Sequence, residues 1–310
     1  MNNNVRKITD GAMMVALVGV LILINRQFAG ILELFAWILP LPMVFFTAKY
    51  GWKDGILPLS AMVLLTLILG TPQSIYYFAV TAISGLIYGN GVKVGWNNRK
   101  LLFVTMTISV ISSLVTTVLF ASFFGYDINM EIKTIGDTMN QVIGSTGVAF
   151  AFDVTQLIKV SVGFSVIFAG VLEGLLIHMI SRLMLTRFGF HIPKAKPLSQ
   201  INAPKWTGYV ALVGWAVAEY GLRTPLEQNI QVLAMIVLII SNIYLIGFGY
   251  LGAVILGAAK FKKNISLYLM IGLILFMQIA IPALAFFGFL YITTDWRENL
   301  LRRVQNGQTK

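Results

Sequence analysis

Apolar runs of 18 residues or more recur along this chain, separated by short polar turns. Each is long enough to cross a hydrocarbon core of about 30 Å as a helix. Hydrophobic residues make up 57% of the 310 and charged residues only 11%, against about 25% charged in a soluble domain. So little polar surface cannot wet a globule of this size; the bilayer is the solvent. The fold expected is an all-α, polytopic transmembrane helical bundle of about nine spans, with eight the alternative. The spans fall near 11–25, 29–48, 55–70, 73–90, 100–124, 153–185, 206–221, 229–258 and 265–292. The third and fourth are joined only by Gly70-Thr71-Pro72 and read as a tight helical hairpin. Pro40 and Pro42 interrupt the second, where a kink is tolerated if neighbouring groups re-satisfy the freed carbonyls.

The net charge of +11 would point to nucleic acid in a soluble protein. Here the basic residues sit in short loops, with no basic face or arm, and no nucleic-acid partner is expected. Placing the N-terminus inside gathers Arg6, Lys7, Lys49, Lys53, Lys93, Arg99, Lys100, Arg182, Arg187, Lys194, Lys196, Lys205, Lys260, Lys262 and Lys263 on one side. The opposite loops hold Arg26, Lys133 and Arg223, with Asp127, Glu131, Asp137 and Glu227. This is positive-inside alternation, and it predicts a multi-pass protein of the cell membrane with a cytoplasmic N-terminus. The tail residues Arg297, Arg302, Arg303 and Lys310 break the alternation under nine spans, which keeps eight open. The first apolar stretch lacks a small-residue cleavage site and reads as a retained helix. With no cysteine, disulfides and thiolate metal sites are excluded.

Two loops are longer. In 125–153, the spacing of Met130, Ile132, Ile135, Met139, Val142 and Ile143 predicts an amphipathic helix. It either lies on the outer membrane surface or lids an outward-facing cavity. The basic, proline-bearing stretch with Pro193, Pro197 and Pro204 divides a six-helix domain, 1–190, from a three-helix domain, 206–310, through a cytoplasmic linker, 191–205.

Glu173 is the most informative residue, because an ionised side chain deep in a span costs about 2.5–3.5 kcal/mol on insertion scales. Gly163, Gly170 and Gly174 share one side of its helix with Glu173 beside them, so the carboxyl should face the bundle. It then contacts a substrate or cation, or makes a buried interhelical hydrogen bond. His178 is rotated about 140° away and is no obvious partner. Asn25, Gln27 and Glu33, with Arg26, cluster where the first helix exits; they are candidates for the floor of a binding site, although polar residues are common at a membrane interface. Ser241, Asn242 and Gln278 read as interhelical hydrogen-bonding groups, and Asp295-Trp296-Arg297 as an interface anchor. Gly247, Gly249 and Gly252 match a dinucleotide fingerprint only in letters, because they sit in a long apolar helix without a preceding strand. Gly249, Ala253 and Gly257, like Gly85/Gly89 and Gly170/Gly174, form rows of small residues suited to close helix packing. No nucleophile, zinc or phosphate-loop motif occurs, so no enzyme, metal or cofactor is expected.

The first helix carries Thr9-Asp10-Gly11-Ala12-Met13-Met14-Val15-Ala16-Leu17, followed by the turn Ala48-Lys49-Tyr50-Gly51-Trp52-Lys53-Asp54-Gly55 and by Gly85-Leu86-Ile87-Tyr88-Gly89. On these patterns, roughly residues 5–190 resemble the substrate-binding (S) components of energy-coupling factor transporters. The resemblance implies that Ala12 and Ala16 contact a partner helix, that ATPase and coupling subunits or other membrane proteins are partners, and that the substrate is a vitamin or cofactor precursor. With its added C-terminal helices and the ending Phe289-Leu290-Tyr291-Ile292-Thr293-Thr294-Asp295-Trp296-Arg297, the whole chain resembles the YybS family of Firmicute membrane proteins. That implies a Gram-positive source; the three extra helices depart from the S-component class. Two functions are therefore expected. One is non-enzymatic binding or uptake of a small molecule through a polar-lined cavity bounded by Glu173 or the Asn25–Glu33 segment. The other is a structural or scaffolding role in the envelope, with a filled bundle and no transported ligand.

Overall fold

A computed structural model describes residues 3–28, 30–125, 127–146, 154–192, 203–224, 227–261 and 275–295, with 268, 269 and 272. Its helices are α1 (Asn3–Gln27), a 3-10 helix (Ile31–Ile38), α2 (Leu41–Tyr50), α3 (Trp52–Leu69), α4 (Pro72–Lys93), α5 (Asn98–Phe124), α6 (Ile128–Thr146), α7 (Val154–Arg187), α8 (Lys205–Leu222), α9 (Gln228–Phe261) and α10 (Met277–Thr293). Among the described residues there is no strand, and the all-α membrane bundle expected from hydropathy is what forms. Six helices among the described residues are long and apolar enough to cross a bilayer: those of α1, α3, α4, α5, α7 and α9. The apolar stretches Phe35–Tyr50 and Ile279–Thr293 are shorter.

The chain forms two compact units, Met1–Met130 with Ser161–Ala195, and Glu131–Val160 with Lys196–Lys310. Residues 131–160 thus group with the C-terminal helices rather than with their neighbours in the chain. Of the expected linker 191–205, residues 193–202 lie outside the described residues.

In the first unit the second apolar run breaks where its prolines demand. Its first part winds as the 3-10 helix, with Phe35 non-helical (φ −115°, ψ 33°), and α2 restarts with Pro42 in its first turn. There a missing N–H costs nothing, because the first-turn donors of a helix have no intrahelical acceptor. The α3–α4 hairpin is as short as predicted: Thr71 caps α4, its Oγ1 accepting from the Ser74 N–H at 3.3 Å, and Pro72 opens the helix. Water-driven burial is weak between helices in lipid, so close backbone approach carries the packing. Gly85 and Gly89 permit it between α4 and α2. A Cβ at Gly89 would fall 2.3 Å from the Val44 carbonyl oxygen, and one at Gly85 2.5 Å from that of Pro40. Beneath this contact lie Met43, Phe46, Met62 and Phe78 of one apolar cluster and Val44, Tyr88, Leu101 and Leu185 of another.

One end of this unit is laced by charge. Asp10 of α1 accepts from Lys49 Nζ and from the Tyr50 hydroxyl, both at 2.6 Å, and Lys7 pairs with Asp54 of α3 at 2.6 Å. Lys93 of α4 donates to the Tyr50 carbonyl. The four contacts span three helix pairs, α1–α2, α1–α3 and α2–α4, so α1 to α4 are tied together where the basic residues cluster.

In the second unit α9 packs on α8 and α10. A Cβ at Gly249 would meet the Leu284 carbonyl oxygen at 1.9 Å, which accounts for the small residue there. Ala211, Leu245 and Ile292 form the core, and Thr207 Oγ1 and Tyr244 OH are 2.5 Å apart. Ser241 is buried against Gly214 of α8, as an interhelical residue should be. Asn242 instead turns back on its own helix, donating to the Leu238 carbonyl at 2.9 Å. The Gln278 side chain lies outside the described residues. Asp295 pairs with Lys205, while Trp296 and Arg297 lie outside the described residues. The amphipathic segment forms α6, with Asp127 Oδ1 accepting from the Asn129 N–H (2.9 Å) and the Met130 N–H (3.2 Å). Ile132 is buried, whereas Ile135, Met139 and Val142 stay exposed along one face.

Gly89→Leu should drive α4 off α2 and lower stability by about 3 kcal/mol or more, since overpacking meets backbone rather than a yielding side chain. Gly163→Leu, at an α7 position with open space around it, should leave the melting temperature unchanged or raise it. Thermal unfolding of both variants in detergent checks this.

Candidate functional site: a hydroxyl-lined cavity beside Glu173

Two close contacts set α7 against α5. A Cβ at Gly174 would lie 2.6 Å from the Met106 Cα, and one at Gly170 2.6 Å from the Val110 Cα. The row of small residues thus packs on a neighbour as its spacing predicts, although Gly163 meets nothing within 4 Å. Glu173, flanking this contact, lines a cavity of about 460 Å³. Its other walls are Ala36 and Trp37 of the 3-10 helix, Tyr77 of α4, Ser112, Ser113, Thr116 and Thr117 of α5, and Val166, Ala169, Leu172 and Leu176 of α7.

Two of the four α5 hydroxyls are already committed as donors. Thr116 Oγ1 donates to the Ser112 carbonyl at 2.7 Å and Thr117 Oγ1 to the Ser113 carbonyl at 2.9 Å. Their protons are spent on the helix, and their lone pairs remain. Glu173 itself has no hydrogen-bond or ion-pair partner among the described residues. With a rise of about 1.5 Å per residue, Glu173 stands about 21 Å from the Arg187 end of α7, and Ser112 about 21 Å from the Asn98 start of α5. Both therefore sit near mid-helix, while Tyr77 and Thr117 of the same lining stand only about 8 and 11 Å from the ends of α4 and α5 that carry no basic residue.

His178 faces elsewhere, as its rotation predicts. It is buried, with Nδ1 3.1 Å from the Tyr88 hydroxyl, which also donates to the His178 carbonyl at 3.3 Å. One turn further, Arg182 donates to the Asn98 side-chain oxygen. These contacts join α7 to α4 and α5 on the basic side of the cavity.

The other candidates occupy different places. Asn25, 1% exposed, is a junction. Its Nδ2 donates to Ser74 Oγ at 3.0 Å and its Oδ1 accepts from the Leu32 N–H at 2.9 Å, holding α1, α4 and the 3-10 helix together. Gln27 is exposed at the end of α1, and the Glu33 side chain lies outside the described residues. Neither Asn25 nor Gln27 lines the Glu173 cavity. Ala12 and Ala16 are exposed and line a separate, mainly apolar groove of about 850 Å³ between α1 and α3, with Gly11, Leu57, Pro58 and Ala61 among its walls. No cluster of three metal-ligating side chains occurs among the described residues.

The hydroxyl wall was missed in the sequence, though its signal was there. Ser112-Ser113 and Thr116-Thr117 recur at a four-residue spacing, which puts the pairs one above the other on a single face of α5.

Apolar helices of membrane length around a polar pocket define an integral, polytopic α-helical membrane protein. Residues 16–290 match the family described as predicted membrane protein (DUF2232), and the chain belongs to that family. It is also similar to a Bacillus subtilis (strain 168) protein named "Uncharacterized protein YybS", at 24% identity over 214 residues, covering 64% of this chain and 68% of the relative. That similarity agrees with the YybS resemblance of the sequence. No solved structure matches.

The two kinds of polar residue should separate in stability measurements. Asn25→Ala removes the acceptor of the Leu32 N–H and one donor to Ser74 Oγ, which keeps Thr71 Oγ1 at 2.7 Å, and should cost about 1–3 kcal/mol. Glu173→Leu removes from the bundle a carboxyl that has no partner among the described residues, and should leave thermal stability unchanged or raise it. Melting curves of the two variants in one detergent compare them directly.

Proposed function

We propose that this protein is a non-enzymatic membrane component that binds a small molecule in the Glu173 cavity of its N-terminal unit and serves its uptake. The observation that carries the reading is a mid-helix carboxyl, without a partner among the described residues, lining a hydroxyl-bearing cavity rather than a filled core. A scaffold would be expected to fill that space with side chains, because an unpaired polar group in a membrane interior is costly. The distribution of Lys and Arg supports a cytoplasmic N-terminus in a cell membrane, and the Bacillus relative supports a Gram-positive source. With that orientation the cavity is reached from the outer side. The S-component resemblance supports a vitamin or cofactor precursor as substrate. It also supports an ATPase and coupling subunit as partners, meeting the exposed Ala12–Ala16 face of α1.

Native mass spectrometry of the protein extracted gently from its own membrane tests the reading. A retained small molecule is expected, and it should be lost from Thr117→Phe, which fills the cavity. Copurifying ATPase and coupling subunits would add support for the uptake role. A bare protein, or a retained molecule indifferent to Thr117→Phe, overturns the cavity reading.

A further inference from the structure

Resting on the reading that this cavity holds a small molecule, we propose that its ligand is a small organic cation, an amine or ammonium compound whose charged nitrogen faces Glu173. Three features of the lining converge on that chemistry. First, among the described residues the cavity lining contains a carboxyl group and no Lys, Arg or His. An anionic ligand would meet repulsion and no counter-charge there, while a cation supplies the partner that Glu173 lacks among the described residues. Second, the Thr116 and Thr117 hydroxyls have donated their protons to the α5 backbone. What they offer a ligand is lone pairs, which N–H donors satisfy and carbonyl or carboxylate oxygens do not. Third, Trp37 and Tyr77 stand in the same lining. Indole and phenol rings attract cations through their quadrupole, most strongly where water is excluded.

A metal ion fits poorly. Hard cations take six or more oxygen ligands, usually with several carboxylates among them. Among the described residues one carboxyl lines this cavity, and no group of three His, Cys, Asp or Glu side chains occurs. An ammonium needs only one carboxylate, with hydroxyl acceptors and aromatic faces completing its surroundings. The volume of about 460 Å³ also exceeds a single ion's needs and leaves room for an organic body against the apolar α7 side of the cavity.

Benzylamine, benzyl alcohol and benzoate share one ring and differ in charge, so they separate the ligand class from the existence of a site. Titration calorimetry of the purified protein in nanodiscs should show benzylamine binding at least tenfold more tightly than benzyl alcohol, and benzoate not at all. Thr117→Phe should abolish the specific heat of benzylamine, which removes simple lipid partitioning from the comparison. Glu173→Gln should bring benzylamine and benzyl alcohol to within about twofold of each other, and Glu173→Asp should restore part of the preference. Equal binding of benzylamine and benzyl alcohol, sensitive to Thr117→Phe, overturns the cationic class and leaves the cavity reading standing. So does a charge preference that survives in Glu173→Gln. Absence of Thr117→Phe-sensitive binding by all three probes overturns both.

Discussion

The approach of α7 to α5 at Gly170 and Gly174 governs what the N-terminal unit can do. Each glycine brings the α7 backbone close to a Cα of α5, at Val110 and Met106. In lipid the helices gain little from hiding apolar surface from one another, so this contact depends on van der Waals fit and on the absence of a side chain. Glu173 sits between those two glycines in sequence and at the edge of their contact in space. The same packing that joins the helices therefore delivers a carboxyl to the Ser and Thr face of α5. A bulkier residue at either glycine would part the helices and separate the two halves of the cavity lining.

The unit is built differently at its two ends. Toward the basic end, Asp10, Lys49, Tyr50, Lys7, Asp54 and Lys93 cross-link α1 to α4, and the Tyr88–His178 contact ties α7 to α4. Individual exposed ion pairs are weak. Here, however, the Asp10 carboxylate is shared by two donors and the Tyr50 backbone and side chain are both engaged, so the contacts act as one network. Toward the other end Asn25 braces the junction of α1, α4 and the 3-10 helix, and the Tyr76 hydroxyl donates to the Ser112 carbonyl beside the cavity. A fastened end opposite an open pocket is an arrangement that suits binding.

Hydropathy made the helices legible, because a span must satisfy its own backbone and be apolar over a fixed length. Proline chemistry announced the break at Pro40 and Pro42, and Gly70-Thr71-Pro72 the hairpin. The glycine rows showed which faces would pack, although Gly163 reads as part of a row and touches nothing. Glu173 stood out because a carboxyl in an apolar helix is rare. Its companions did not, because Ser and Thr are common in membrane helices and usually donate to their own backbone. Only the meeting of α5, α7, α4 and the 3-10 helix turns those four hydroxyl residues into a wall. Asn25 could not be assigned from sequence, since interfacial and junction asparagines look alike until Ser74 and Leu32 are brought beside one of them.

The proposed uptake role requires that the cavity be open to the side opposite the basic ends, and a chain without native cysteine makes that directly measurable. Single cysteines at Thr117 and at Lys53 would be exposed, in intact cells, to a membrane-impermeant thiol reagent. The account predicts modification of Thr117→Cys from outside and protection of Lys53→Cys until the membrane is permeabilised. External labelling of Lys53→Cys, or a Thr117→Cys inert from outside, would contradict it.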